Sequence, residues 1–187
     1  ILYTDIQGFT GICEALAPEQ IVSLLNKYFS LLVEIIDRHE GVVNQFQGDA
    51  LLVTFNVPVA VPDHAAQSVA CALEIQTALA SHDFGDGIEM VTRIGINTGN
   101  VFAGSVGAGD RLNYTVHGDA VNLAARLENL NKQYDTRVLI SASTKEAVGD
   151  RFEFIPIGKI EIRGKLESVD VYSVMGPTPR SEETPSN

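Results

Sequence analysis

The sequence has no tryptophan, two cysteines and four histidines in 187 residues, and each scarcity removes a class of protein. With only Cys13 and Cys71 there is no disulfide framework, and a reducing compartment suits the chain. His39, His64, His82 and His117 are scattered, with no metal-ligand spacing among themselves or with the cysteines, which argues against zinc. No apolar run approaches the roughly 20 residues that cross a bilayer as a helix. Basic residues are also few: 13 Lys and Arg stand against 24 Asp and Glu, a formal net charge of −11. A field of that sign argues against nucleic acid or an anionic membrane as a partner. An anionic small substrate needs its own metal here, with a few well-placed cations.

What remains is a globular composition, 45% hydrophobic and 20% charged, long enough for one domain with a real core. The chain opens inside a strand-like segment without Met, and an excerpt from a longer protein is expected. The domain is expected over 1–175. Residues 176–187, polar and proline-rich, are expected to form a disordered tail.

Ile1-Leu2-Tyr3-Thr4-Asp5 reads as a strand, and Gln7-Gly8-Phe9-Thr10 turns it into a region of helical pattern. A long helix opens at Ala17-Pro18-Glu19, and Gly41 is its expected stop. Val42–Phe46 and Ala50–Phe55 read as strands joined by a tight turn at Gly48-Asp49. Pro62-Asp63-His64 starts a second helix, 91–97 reads as a strand, and Val101–Gly104 as its hairpin partner. Arg111–Val116 extends that region as an arm, and a third helix is expected from Asp119 to Tyr134. Arg137–Ile140 forms another strand. A last strand pair spans Phe152–Val174 and turns near Arg163-Gly164-Lys165. The order predicts an α+β fold: a ferredoxin-like sheet with antiparallel pairs, covered by helices.

Asp5 and Asp49 each sit where a strand ends. If the strands are neighbours, both carboxylates project from one edge, where oxygen ligands hold Mg²⁺. Taken singly, Gly48-Asp49 is an ordinary hairpin turn and Asp5 a helix cap. Asn122 and Arg126, four apart, share one helix face, an amide and a guanidinium suited to ribose and phosphate, or simply a solvated polar face.

Four stretches in order, Thr4–Thr10, Phe46–Ala50, Arg93–Gly99 and Tyr114–Leu127, resemble the catalytic domain of class III nucleotidyl cyclases. The resemblance implies a cyclase fold with a dimerisation arm and a 3′,5′-cyclic nucleotide plus pyrophosphate as products. It implies that Asp5, Asp49 and the Ile6 carbonyl bind two Mg²⁺ or Mn²⁺ ions. Asn122 orients the ribose, Arg126 stabilises the α-phosphate, and Arg93, Arg163 and Lys165 hold the β- and γ-phosphates. Gln45 and Thr115 read the base. The family builds its site across a dimer, with metal carboxylates from one subunit and the Asn, Arg and base-reading residues from the other, so a homodimer with two composite sites is implied.

Gln45 stands where many members carry Lys, and Thr115 where some carry Asp. An amide donates to adenine N1 or, flipped, accepts from guanine N1–H, and Thr is equally ambivalent. ATP is favoured over GTP, because guanylyl members usually carry an acidic residue at the position of Gln45. Arg163 replaces a common Lys, keeping charge while changing its geometry. His117 replaces a usually apolar residue, for which there is no physical account. A catalytically silent, dimerising regulatory module is the alternative of another class. Such modules commonly lack a metal Asp or the Asn–Arg pair, and all four residues are here. A cyclic-dinucleotide synthase is rejected, since Gln47–Leu51 lacks its Gly-Gly-Asp/Glu-Glu-Phe hairpin. Regulatory domains elsewhere in a parent chain are expected, as is a cytoplasmic location, free or as part of a membrane-anchored protein.

Overall fold

Strand β1 (Leu2–Ile6) alternates buried Leu2, Thr4 and Ile6 with half-buried Tyr3 and Asp5, so two different layers cover its faces. The computed structural model describes residues 1–85, 87–109, 111–161 and 168–178. After β1, α1 (Phe9–Ala15) and α2 (Pro18–Arg38) lead to β2 (Val42–Gln47), β3 (Ala50–Thr54), α3 (His64–Ser81) and β4 (Thr92–Ile96). Next come β5 (Phe102–Ala108), β6 (Arg111–His117), α4 (Asp119–Tyr134), β7 (Val138–Ser141) and α5 (Ala142–Val148). β8 (Phe152–Glu161) and β9 (Ser168–Pro177) close the chain.

The main sheet has the order β2-β3-β1-β4-β7-β9-β8. Its first four strands, with α2 and α3 between them, have the connectivity expected of a ferredoxin-like unit. α2 shows why a helix forms there: Pro18 opens it, Gln20 reaches back to the Ala17 amide at 2.9 Å, and Leu24, Tyr28, Leu32, Ile35 and Ile36 make a buried stripe. That stripe and α3 cover the Leu2–Ile6 face in the larger core. α4 covers the other face, where Leu127, Leu139, Ile160 and Val171 form a second cluster. Gly95 permits this approach, because a Cβ there would lie 2.2 Å from the Ala124 carbonyl oxygen.

Three expectations are corrected. Val101–Gly104 is not the hairpin partner of the 91–97 strand. Both sides of β4 are taken, by β1 antiparallel and β7 parallel, so β5 pairs with β6 as a separate two-stranded arm. α2 ends at Arg38, ahead of Gly41, where a side chain would meet Ile36 and Phe55 at 2.8 and 2.9 Å. The ordered domain passes 175, since β9 reaches Pro177 and Thr178 bonds to Asp150 and Arg151. α5, absent from the sequence reading, is one short helix whose first turn is capped by the Ser141 hydroxyl. The expected turn at 163–165, and the expected tail beyond Thr178, lie outside the described residues.

Candidate active site

β1 delivers Asp5 on its α4-facing side, and Gly48, with φ +67°, makes the turn that delivers Asp49 between β2 and β3. The β1–β3 pairing of Thr4 with Leu51 brings that turn beside the end of β1. Asp5, Ile6, Gly8, Asp49, Arg93 and Lys132 line one cleft of about 460 Å³. Arg93, cross-strand from Asp5 on β4, donates from Nη2 to Asp5 Oδ2 at 2.5 Å. On its other side Arg93 Nε lies 2.9 Å from Glu128 Oε1, with the N–H directed off the oxygen, so this contact is ionic rather than a hydrogen bond.

Two carboxyl groups, Asp5 and Glu128, therefore flank one guanidinium, and Asp49 shares the cleft with Asp5 and Arg93. Burial pushes Asp49 above the usual carboxylate range, and the charge of Asp5 pushes it further, against hydrogen bonds from backbone amides. Glu128, 2% exposed, is raised to about 7. Its burial outweighs the pull of Arg93, and Asp5 and Asp49 add to the rise. Burial first, then Asp5, Glu128 and Asp49, also raises the Tyr3 phenol. Two carboxylates and a backbone carbonyl are hard oxygen donors that fit Mg²⁺ or Mn²⁺. Among the described residues no cluster of three His, Cys, Asp or Glu side chains forms a closed cage. A partial protein shell is the arrangement in which water and phosphate complete the coordination.

The remaining expected residues lie elsewhere. Asn122 is exposed on α4, and one turn on, Arg126 is half-buried with Nη1 buried and without a hydrogen-bond partner. Thr115 is buried in β6, which touches β2, the strand of Gln45. Gln45 Oε1 accepts from Gln47 Nε2 at 2.6 Å, and Gln47 Oε1 accepts from the Tyr3 hydroxyl at 2.6 Å. None of Asn122, Arg126, Gln45 and Thr115 lines the carboxylate cleft. Arg163 and Lys165 lie outside the described residues. His117 is exposed at the end of β6, opposite Phe102 in the arm. Glu128, Lys132, Tyr3 and Gln47 were missed by the sequence reading. Gly95, a small residue in a central strand, was the available sign that α4 presses close enough to bury Glu128.

The model of the adenylate and guanylate cyclase catalytic domain family matches residues 1–176. Adenylate cyclase 1 of Rhizobium meliloti (strain 1021) is 40% identical over 179 residues, covering 94% of this chain and 27% of that protein. The chain thus spans about a quarter of that relative's length. The crystal structure of the guanylyl cyclase Cya2 superposes with a TM-score of 0.85 at 34% identity, over 97% of this chain and 93% of that one. The adenylyl cyclase CyaB from P. aeruginosa gives 0.83 at 30% identity, over 93% and 91%. With the α+β sheet order and the four motifs in place, the chain belongs to the adenylate and guanylate cyclase catalytic domain family.

Proposed function

We propose that this chain is the catalytic domain of an adenylyl cyclase, forming 3′,5′-cyclic AMP and pyrophosphate from ATP at a site shared by two copies. The observation that carries this reading is the convergence of Asp5, from β1, and Asp49, from the β2–β3 turn, in one cleft with Arg93 and Ile6. Asp5, Asp49 and the Ile6 carbonyl would hold two Mg²⁺ or Mn²⁺ ions, which would lower the pKa of the ribose 3′-hydroxyl and offset charge on the α-phosphate. Arg93, Arg163 and Lys165 bind the β- and γ-phosphates, Arg93 through a guanidinium that Glu128 keeps anchored. Asn122 orients the ribose. Arg126 stabilises charge that develops on the α-phosphate, an interaction strongest in the transition state. Its unpartnered, buried Nη1 is a donor that a phosphate oxygen would satisfy.

Because Asn122 and Arg126 stand apart from the carboxylate cleft, one chain leaves the constellation incomplete. A two-fold homodimer makes two composite sites, and the arm offers exposed Phe102, Val106 and Leu112 for that contact. Gln45 and Thr115 read the base, and 40% identity to an adenylate cyclase supports ATP. Regulatory domains belong to the remainder of a longer cytoplasmic or membrane-anchored parent.

The test offers ATP and GTP to the purified domain with Mn²⁺, separately and in competition. Cyclic AMP as the main product supports the proposal, and cyclic GMP as the main product reverses the base assignment. No product from a verified dimer that binds metal would overturn the activity and favour a silent regulatory module.

A further inference from the structure

We infer that Tyr3 and Gln47 are positioning residues that set the base preference of this site by fixing which end of the Gln45 amide is presented. The inference rests on the reading of Gln45 as a base contact. Tyr3 on β1 and Gln45 on β2 flank the same β3 residue, Leu52, from opposite sides. Gln47, two residues beyond Gln45, projects to the same face and bridges them.

The relay has a direction. Tyr3 Oη donates to Gln47 Oε1 and makes no other hydrogen bond among the described residues, so its single proton is committed there. With its oxygen turned to Tyr3, Gln47 turns its NH₂ to Gln45, whose Oε1 accepts at 2.6 Å. A glutamine amide's oxygen and nitrogen lie in one plane, on opposite sides of the Cγ–Cδ bond axis. Gln45 therefore presents Nε2, a donor without a partner among the described residues, away from Gln47. A donor matches N1 of adenine, whereas guanine carries a proton on N1 and needs an acceptor. Reversing the relay to accept guanine requires both amides to flip and Tyr3 to give up its donor bond. The phenol's donor bond thus favours one polarity of an ambivalent glutamine, and the penalty for the wrong base is the loss of that bond or an opposed donor.

The experiment compares kcat/KM for ATP and GTP in the wild-type domain, Tyr3→Phe, Gln47→Leu and Gln45→Glu, with folding checked by circular dichroism and thermal melting. Tyr3→Phe removes one oxygen and leaves the ring. It should lower the ATP-over-GTP ratio by about tenfold, mainly by admitting GTP. Gln47→Leu, at an exposed strand position, should do the same. Gln45→Glu should lower the ratio most, since it presents acceptors only. A shift with Gln45→Glu, but an unchanged ratio in Tyr3→Phe and Gln47→Leu, overturns the relay and leaves the base contact standing. An unchanged ratio in Gln45→Glu overturns the base contact, and the relay with it. A uniform fall on both nucleotides in Tyr3→Phe assigns the phenol a purely structural role and also overturns the inference.

Discussion

The carboxylate cleft and the Asn122–Arg126 face of α4 differ in how far one chain completes them. In the cleft, Arg93 is bonded to Asp5 and held against Glu128, so charge is offset locally before any ligand arrives. On α4, Asn122 is exposed and Arg126 keeps a buried nitrogen without a partner, while the arm leading into the helix carries Phe102 at 83% exposure. Carboxylates crowded beside one another need a cation within the fold, since burial and mutual repulsion both raise their cost. A donor face next to uncovered apolar surface has no such constraint, and is what a second copy would close over.

The largest effect should come from the cleft. Asp5→Ala or Asp49→Ala should reduce metal-dependent turnover to background while thermal melting shows an intact fold. Retained turnover would remove the cleft from the reaction. On the α4 side, Arg126→Ala should lower kcat by roughly 10²-fold with little change in KM, as expected of a group that acts in the transition state. A raised KM with unchanged kcat would make it a uniform binder. Phe102→Asp should weaken dimerisation by roughly tenfold or more, read by sedimentation, with specific activity recovering as protein concentration rises. Equal activity at all concentrations would separate the arm from the site.

The smallest effect sharpens the cleft side. The Glu128 carboxyl sits near 7 in the folded chain against 4.5 in a free side chain. Between those values the folded state holds a proton that the unfolded state has released, so stability falls as pH rises through this window. Glu128→Gln should remove that slope, read as urea midpoints at pH 5, 6, 7 and 8. Parallel curves would mean that Glu128 is ionised throughout.

Local pattern made much of this legible. The α4 boundaries follow from its apolar spacing, and the βαββαβ order follows from alternating helical and strand periods. The carboxylates stand out because each ends a strand at a turn. What stayed hidden depends on contacts between distant segments. Val101–Gly104 looked like a partner for β4 because nothing local reveals that β1 and β7 already occupy both of its sides. Glu128 reads as one more polar residue on a helix until the closeness of Gly95 to Ala124 buries it beside Arg93. The Tyr3–Gln47–Gln45 relay exists only through the register that sets Tyr3 and Gln45 across the same leucine.

The most direct test of the shared site mixes Asp49→Ala chains with Asn122→Ala chains, each inactive alone, and measures cyclic nucleotide formed after subunit exchange. Each heterodimer then holds one intact composite site, and random exchange should restore about a quarter of wild-type activity. Exchange verified by differently tagged chains, with no recovery of activity, would contradict a site built from two copies.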